Sequence, residues 1–127
     1  MNKVFTEKAP KPAGHYSQAT ECNGFVFISG QLPVDPITGK KELGSLELQT
    51  KQVLKNVDEI LKEANCSRED VLKVTVYISD ITFWDEVDKV YSDFFASHKP
   101  ARAVVPTRDL HYGFKIEIEA IAYKGKW

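Results

Sequence analysis

The stretch that decides the fold reads Lys115-Ile116-Glu117-Ile118-Glu119-Ala120-Ile121-Ala122-Tyr123, and a shorter apolar run that opens with Pro100-Ala101-Arg102 precedes it. Alternate residues of a β-strand face opposite sides of a sheet, so this alternation predicts a strand with two unlike faces. One face is wholly apolar and comprises Ile116, Ile118, Ala120 and Ala122. The other mixes carboxylates with apolar groups and comprises Glu117, Glu119, Ile121 and Tyr123.

The two carboxylates on this mixed face need compensation. A carboxylate beside apolar groups requires a cation, hydrogen-bond donors or an ordered water molecule. Arg102 opens the neighbouring apolar run, and we expect it to lie close to Glu117 and Glu119. Two interpretations are open: both glutamates face water beside a structural ion pair, or Arg102 binds an anion while a glutamate positions water.

The composition indicates one soluble globular domain that spans residues 1–127. The chain has 127 residues, of which 43% are hydrophobic and 28% charged. This length suffices for one hydrophobic core and is too short for two. The sequence has neither a long apolar run nor a signal-peptide core, so we expect a cytoplasmic protein without a membrane partner. Seventeen basic and eighteen acidic residues leave a formal net charge of −1. This balance gives no general electrostatic reason to bind nucleic acid.

The cysteines and histidines do not form a metal-binding pattern. Cys22 and Cys66 are far apart without a CxxC motif, and the three histidines, His15, His98 and His111, are scattered. These spacings disfavour a zinc site or a disulfide scaffold. They predict no protein-bound catalytic metal.

The first half of the chain predicts a hairpin followed by a helix. Asn23-Gly24 is a strong hairpin signal, because both residues tolerate positive φ, and it separates predicted strands at 17–22 and 25–29. A helix is predicted over about 45–64. Its apolar residues recur at helical spacing and are Leu46, Val53, Leu54, Val57, Ile60, Leu61 and Ala64.

The second half predicts a strand and a second amphipathic helix. Over 71–79 the apolar residues alternate with polar or aromatic ones, and they are Leu72, Val74, Val76 and Ile78. Thr82-x-x-Asp85 predicts that Thr82 caps the next helix, which ends before Pro100. The helix carries a stripe that we interpret as core, comprising Phe83, Val87, Val90, Tyr91, Phe94 and Phe95.

The order ββαβαββ predicts an α+β fold with a single mixed β-sheet and two helices packed on one face. The other face then lacks a cover within the chain. Phe25-Val26-Phe27-Ile28 is apolar at consecutive positions, which demands burial on both faces. We therefore expect a partner subunit on the bare face, with ligand clefts between subunits.

Four segments carry a resemblance to a known family. They are Gly14-His15-Tyr16-Ser17-Gln18-Ala19, Phe27-Ile28-Ser29-Gly30-Gln31-Leu32-Pro33, Pro100-Ala101-Arg102 and Ile116-Glu117-Ile118-Glu119-Ala120-Ile121-Ala122. In order and spacing they resemble the signatures of the RidA (YjgF-type) reactive intermediate deaminase family over nearly the whole chain. The resemblance implies a chorismate-mutase-like, RidA-type fold and a homotrimer with three ligand clefts between neighbouring subunits.

The resemblance also implies an activity and a set of site residues. In such proteins water converts reactive 2-enamine/2-imine acids, which pyridoxal-phosphate dehydratases form from serine or threonine, into 2-keto acids and ammonia without a cofactor. Substrates of this kind are 2-iminobutanoate and 2-iminopropanoate. The family's carboxylate-binding arginine falls on Arg102, its water-orienting glutamate on Glu117, and its cleft tyrosine and serine on Tyr16 and Ser29. Val104 occupies a substrate-binding position where many members have cysteine.

The chain departs from the common family pattern at further positions, which leaves the function open. His15 stands where proline is usual, and residues 110–113 replace a Leu-Pro-Lys-like loop. His15 and His111 can act as a proton donor and a ligand contact, or remain solvated. Besides the deaminase, the alternatives are a non-catalytic trimeric binder that senses a small carboxylate, and an endoribonuclease or translation inhibitor. The charge balance ranks the ribonuclease last.

Overall fold

A computed structural model describes residues 1–125, so the last two residues of the predicted 1–127 domain lie outside the described residues. Six strands form one sheet in the order β1-β2-β3-β6-β4-β5. Only β4 and β5 pair in parallel, so the sheet is mixed. The strands are β1 (Asn2–Val4), β2 (Ala19–Cys22), β3 (Phe25–Gln31), β4 (Val71–Ile78), β5 (Ala101–Pro106) and β6 (Ile116–Tyr123).

Two α-helices cross between the strands, α1 (Leu46–Glu63) and α2 (Trp84–Phe95). Short 3₁₀ turns occupy Arg68–Asp70, Ile81–Phe83 and His111–Gly113. The predicted ββαβαββ order is confirmed, with the short β1 added at one edge of the sheet. None of the helices in the described part of the chain is long and apolar enough to cross a membrane.

The first predicted hairpin and helix are confirmed. Asn23 and Gly24 have φ values of 51° and 85° and connect β2 to β3, whose terminal residues Cys22 and Phe25 pair. Ser45 caps α1, since its hydroxyl accepts a hydrogen bond from the Leu48 amide at 3.2 Å. The turn is therefore where it was predicted, whereas β2 begins at Ala19 rather than at residue 17 and β3 continues to Gln31 rather than ending at residue 29.

The hydrophobic core lies between the sheet and the two helices, as predicted. Along β6 buried and partly exposed residues alternate, and the predicted apolar face is the buried one. The core stripe of α2 is also confirmed, with Val87, Val90, Tyr91 and Phe95 buried and Phe83 and Phe94 packed against the core. The core residues from β3, β4 and β6 are Val26, Ile28, Val71, Val74, Val76, Ile78, Ile116, Ile118, Ala120 and Ala122.

The opposite face of the sheet, which we call the open face, has no helix over it within residues 1–125. On β3, Val26 and Ile28 are buried beneath the helices, whereas Phe25 and Phe27 remain 40% and 46% exposed on the open face. The prediction that one chain leaves this face uncovered is confirmed. The two phenylalanines leave a large apolar surface in water within a single chain.

Two local predictions were wrong. Leu72 does not belong to the buried side of β4: it is 44% exposed, because the pairing of β4 with β6 shifts register between Val71 and Lys73. Thr82 does not cap α2. Instead Asp80 accepts a hydrogen bond from the Thr82 amide at 2.9 Å and starts the 3₁₀ turn at Ile81–Phe83, which leads into α2. The cap signal was real but belonged to the aspartate two residues earlier.

Candidate functional site

The predicted site residues, together with residues that lie beside them, fall into two groups, which we name by their charged members. The arginine site comprises Arg102, Val104, Asp88 and Tyr91, on the helix side of the sheet. The glutamate site comprises Glu117, Gly30, Ser29 and Tyr16, at the open face.

Arg102 lies on the edge strand β5 and is held against α2. Its Nη1 donates a hydrogen bond to Oδ1 of Asp88 at 2.6 Å, which makes a short charge-assisted ion pair. The guanidinium carbon lies 4.7 Å from the ring centroid of Tyr91 and 5.5 Å from that of Trp84. One edge of the guanidinium is therefore fixed, and its other N–H groups have no hydrogen-bond partner among residues 1–125.

Beneath Arg102 lies a tyrosine whose hydroxyl is buried. The Tyr91 hydroxyl has no hydrogen-bond partner within the described part of the chain. Burial raises the pKa of Tyr91 to about 12, so the hydroxyl stays protonated at neutral pH. Tyr91 and Arg102 line a cavity of about 440 Å³ between α2 and β5, together with His98 and Lys99. Arg102 and Lys99 bring positive charge to this cavity, Asp88 brings a negative charge, and the Tyr91 hydroxyl is a neutral hydrogen-bonding group in its wall.

Val104 follows two residues after Arg102 and shares its face of β5. It is partly buried and packs against the hydrophobic core. Its side chain is therefore apolar support beside Arg102. The implied contact between Val104 and substrate stays a prediction.

Glu117 lies on β6 with its side chain on the open face. Burial raises the pKa of the Glu117 carboxyl above its usual value; the charge of His111 opposes this rise in pKa and that of Glu119 adds to it. No ion pair to Glu117 is formed within residues 1–125. A carboxylate in this setting is a stronger base than a solvated one.

Gly30 makes the space that the Glu117 carboxylate occupies. A methyl group at Gly30 would overlap with Oε2 of Glu117, and Cγ and Cδ of Glu117 would also lie within 3.4 Å of it. Gly30, Glu117 and Glu119 line one open cavity of about 240 Å³, with Tyr77 and Leu110. The absence of a side chain at position 30 therefore positions the carboxylate.

Tyr16 and Ser29 lie near the same strand end. Tyr16 is half exposed and, with Gly30, lines a cavity of about 180 Å³. The Ser29 hydroxyl donates to the Ser17 carbonyl at 2.6 Å, and the Ser29 amide donates to the Gln18 carbonyl at 2.9 Å. These bonds tie the segment after Tyr16 to β3, so Ser29 positions the loop that carries the tyrosine.

The second carboxylate of the open face has a different environment. Glu119 accepts a hydrogen bond from the Tyr77 hydroxyl. This bond is the main cause that raises the pKa of Tyr77. Glu119 is thus satisfied within the chain, whereas Glu117 is not hydrogen-bonded to any described side chain. Of the two glutamates, Glu117 is the one with capacity for a ligand or water.

The expectation that Arg102 lies close to Glu117 and Glu119 was wrong for a single chain. β4 lies between β5 and β6, and the two residues are on opposite faces, since Arg102 pairs with buried Val74 and Glu117 pairs with Tyr77. The ion-pair partner of Arg102 is Asp88. A structural ion pair between Arg102 and either glutamate is therefore excluded within this chain.

Two contacts at these sites were not predicted from the sequence. Asp88 flanks the apolar stripe of α2 three residues before Tyr91, a spacing that puts both on one helix face. Gly30 belongs to one of the four family segments, but its contact with Glu117 was not predicted. His15 and His111, proposed as cleft residues, are both exposed. Among residues 1–125, no three His, Cys, Asp or Glu side chains are arranged to hold a metal ion.

Comparisons with known proteins give consistent matches over the full fold. The family model described as Endoribonuclease L-PSP matches residues 6–124. A RutC family protein of Pyrococcus abyssi is 49% identical, over 95% of each chain. The 2-iminobutanoate/2-iminopropanoate deaminase of Homo sapiens is 42% identical, over 96% of this chain and 89% of that protein.

Solved structures agree with this result. A Thermotoga maritima structure that carries an endoribonuclease name superposes with a TM-score of 0.96 at 43% identity and covers 99% of both chains. Escherichia coli TdcF, solved with bound serine, has a TM-score of 0.94 at 35% identity, over 98% of this chain and 100% of that chain. The similar proteins thus share one fold and carry two kinds of functional name.

Proposed function

The chain belongs to the Endoribonuclease L-PSP family, known also as the YjgF/RidA family, and on this basis we propose that it hydrolyses 2-iminobutanoate and 2-iminopropanoate to 2-keto acids and ammonia. The observation that supports this most is the Glu117 carboxylate, which lies at Gly30 beside an open cavity with its pKa raised by burial. Such a carboxylate is a stronger base than a solvated one and can accept a proton from the attacking water. Human, rat and bovine relatives named as this deaminase add support.

In the proposed reaction Arg102 binds the substrate carboxylate. Its guanidinium is fixed at one nitrogen by Asp88 and has further N–H groups to donate. A planar guanidinium can hold a carboxylate through two parallel hydrogen bonds, which lysine does not reproduce. Arg102 thereby fixes the position of the imine carbon.

Glu117 then orients and deprotonates the attacking water. The water oxygen bonds to the imine carbon while Glu117 takes one proton from the water, and Glu117 passes this proton to the nitrogen to give a carbinolamine. The C–N bond then breaks as the hydroxyl becomes a carbonyl, and Glu117 transfers the hydroxyl proton to the nitrogen, which leaves as ammonia. Because imines already hydrolyse in water, positioning and proton transfer suffice.

We propose that three chains assemble so that the arginine site of one faces the glutamate site of the next. Within one chain the two sites are on opposite faces, so neither is complete alone. The exposed Phe25 and Phe27 support a neighbour on the open face, since that contact would bury their apolar surface. Tyr16 would then cover the bound molecule.

The deciding experiment follows ammonia or keto-acid release above the spontaneous background, with imine generated in situ by a dehydratase. Truncating one member of a desolvated charge pair costs ~2–5 kcal/mol, so we expect Arg102→Ala to lower the catalysed rate by roughly 30-fold to several thousand-fold. Arg102→Lys should recover little. Arg108→Ala, which removes an exposed arginine beyond β5, is the matched control and should retain the wild-type rate.

The other functions give different results in the same experiment. A wild-type protein that binds 2-keto acids through Arg102 without accelerating hydrolysis is a carboxylate sensor. One that neither turns over imine nor binds such acids, yet degrades RNA independently of Arg102, is an endoribonuclease, as the family description and the Thermotoga maritima relative are named.

A further inference from the structure

Among the described residues, Asp88 is the one acidic side chain that forms an ion pair with the proposed carboxylate-binding arginine. Its Oδ1 lies 2.6 Å from Nη1 of Arg102, and the two side chains are 35% and 23% exposed. The pair is thus partly shielded from solvent, where a charge interaction is stronger than at a fully exposed surface. Any anion that binds Arg102 must do so beside this negative charge.

The contact also restricts the orientation of the guanidinium. The Arg102 side chain extends from an edge strand over the Tyr91 ring, and Asp88 holds one terminal nitrogen. Among residues 1–125 the Arg102 guanidinium has no other hydrogen-bond acceptor. Asp88 therefore determines which N–H groups of Arg102 remain for a ligand, since the nitrogen it holds cannot also form one arm of a two-bond carboxylate contact without competition.

We propose that Asp88 is a positioning residue that orients Arg102 and, by offsetting part of its charge, keeps the affinity for carboxylates low. The proposal rests on the proposed function, in which Arg102 binds the substrate carboxylate. Its consequence is a site suited to fast exchange: substrate and product share the same carboxylate, so a tightly held 2-keto acid would occupy the site after each turnover.

The same charge bears on the class of ligand. A second carboxylate on the substrate would approach the Asp88 carboxylate as well as Arg102, and like charges repel at such distances. Asp88 therefore favours acids with one carboxylate over dicarboxylic acids of similar length.

The test measures binding of pyruvate and of oxaloacetate by calorimetry in wild type, Asp88→Asn and Asp88→Ala. The Asn variant keeps the acceptor oxygen but loses the charge, so pyruvate should bind roughly 3- to 30-fold more tightly, and oxaloacetate should gain more than pyruvate. The Ala variant loses the acceptor as well, so its affinity should fall below that of the Asn variant. Asp93→Asn, which removes an exposed charge from the same helix, is the control and should change neither affinity.

Three results would overturn the proposal: pyruvate binding in the Asn variant no tighter than in wild type, equal binding in the Asn and Ala variants, or no pyruvate binding in any of the three. Turnover separates this outcome from the fate of the proposed function. Suppose that the wild type hydrolyses no imine but Asp88→Asn still binds pyruvate more tightly than both Asp88→Ala and the wild type. The role of Asp88 then holds, while the deaminase assignment fails. If the wild type is active and Asp88→Asn binds no better, only the role of Asp88 fails.

Discussion

The charged residues of the arginine site and the glutamate site have opposite electrostatic environments. Arg102 has a short ion pair with Asp88 and a tyrosine ring beneath it. Glu117 has burial and a nearby like charge but no ion-pair partner in the described chain. The first charge is stabilised in the free protein, and the second is held in a state that favours taking up a proton. In the proposed reaction this difference corresponds to a division of roles, with carboxylate binding on the helix side of the sheet and proton transfer on the open face.

The largest expected effect comes from joining the two sites across a subunit boundary. Arg102→Ala and Glu117→Gln homotrimers should each be nearly inactive. When the two variants are co-expressed with different tags and purified as mixed trimers, every trimer contains both variants, so about one cleft in three combines an intact Arg102 from one chain with an intact Glu117 from the next. We therefore expect about a third of the wild-type rate.

Light scattering on the same samples should give three times the chain mass of 14.4 kDa. Mixed trimers without recovered activity would mean that both residues act within one chain or not at all. A stable monomer in the wild type at micromolar concentration would remove the shared cleft altogether.

The next largest effect concerns Glu117 alone. A positioned general base contributes roughly 10²–10⁴-fold, so Glu117→Gln should lower the catalysed rate by that amount while pyruvate affinity stays near wild type. Steady-state turnover together with calorimetry checks this. A rate near wild type would show that the carboxylate is structural.

Thermal unfolding supplies an independent check on the environment of Glu117. Because the fold raises the pKa of Glu117, its favourable contribution to stability is fully present below the unfolded pKa and is lost as pH rises through the folded pKa. We expect Glu117→Gln to melt above wild type at pH 7, with the gap closing below about pH 4. An equal Tm at both values would contradict the burial of the charge.

Gly30→Ala should produce a smaller loss of activity at the glutamate site. The added methyl overlaps with the flexible end of Glu117, so the carboxylate must rotate away while the backbone can stay. Displacing a catalytic group by about 1 Å can cost on the order of 10²-fold, and we expect a fall of roughly 10- to 100-fold in turnover with little change in Tm. Gly14→Ala is the control, because the added methyl would make only ordinary van der Waals contacts there. Gly39→Ala is unsuitable, because the positive φ of Gly39 would strain an alanine even though the added methyl has open space.

The smallest effect is expected beneath Arg102. The Tyr91 hydroxyl is buried without a hydrogen-bond partner in the described part of the chain, so Tyr91→Phe removes a polar group and keeps the ring under the guanidinium. The free energy of unfolding should stay equal or rise by up to about 1 kcal/mol, measured by urea denaturation. A clear loss of stability would show that the hydroxyl is hydrogen-bonded to solvent in the cavity.

The secondary structure was accessible from the sequence because its signals are local. The alternation over 115–123, the Asn23-Gly24 turn and the apolar stripe of α2 each depend on neighbours within a few residues. The errors at Leu72 and Thr82 arose where the local pattern does not decide the structure. The register shift at Leu72 depends on the partner strand, and Asp80 and Thr82 compete for one cap.

The sequence by itself determined the two helices, the strands β2 to β6, the buried face of β6 and the identity of the charged residues. Only the tertiary structure decided which of them meet. The insertion of β4 between β5 and β6, together with the period-two alternation of strands, places Arg102 and Glu117 on opposite faces. The packing of α2 over β5 brings Asp88 to Arg102, and the lack of a side chain at Gly30 admits Glu117. These contacts join residues that are distant in sequence, so they depend on the strand order and the helix packing rather than on local pattern.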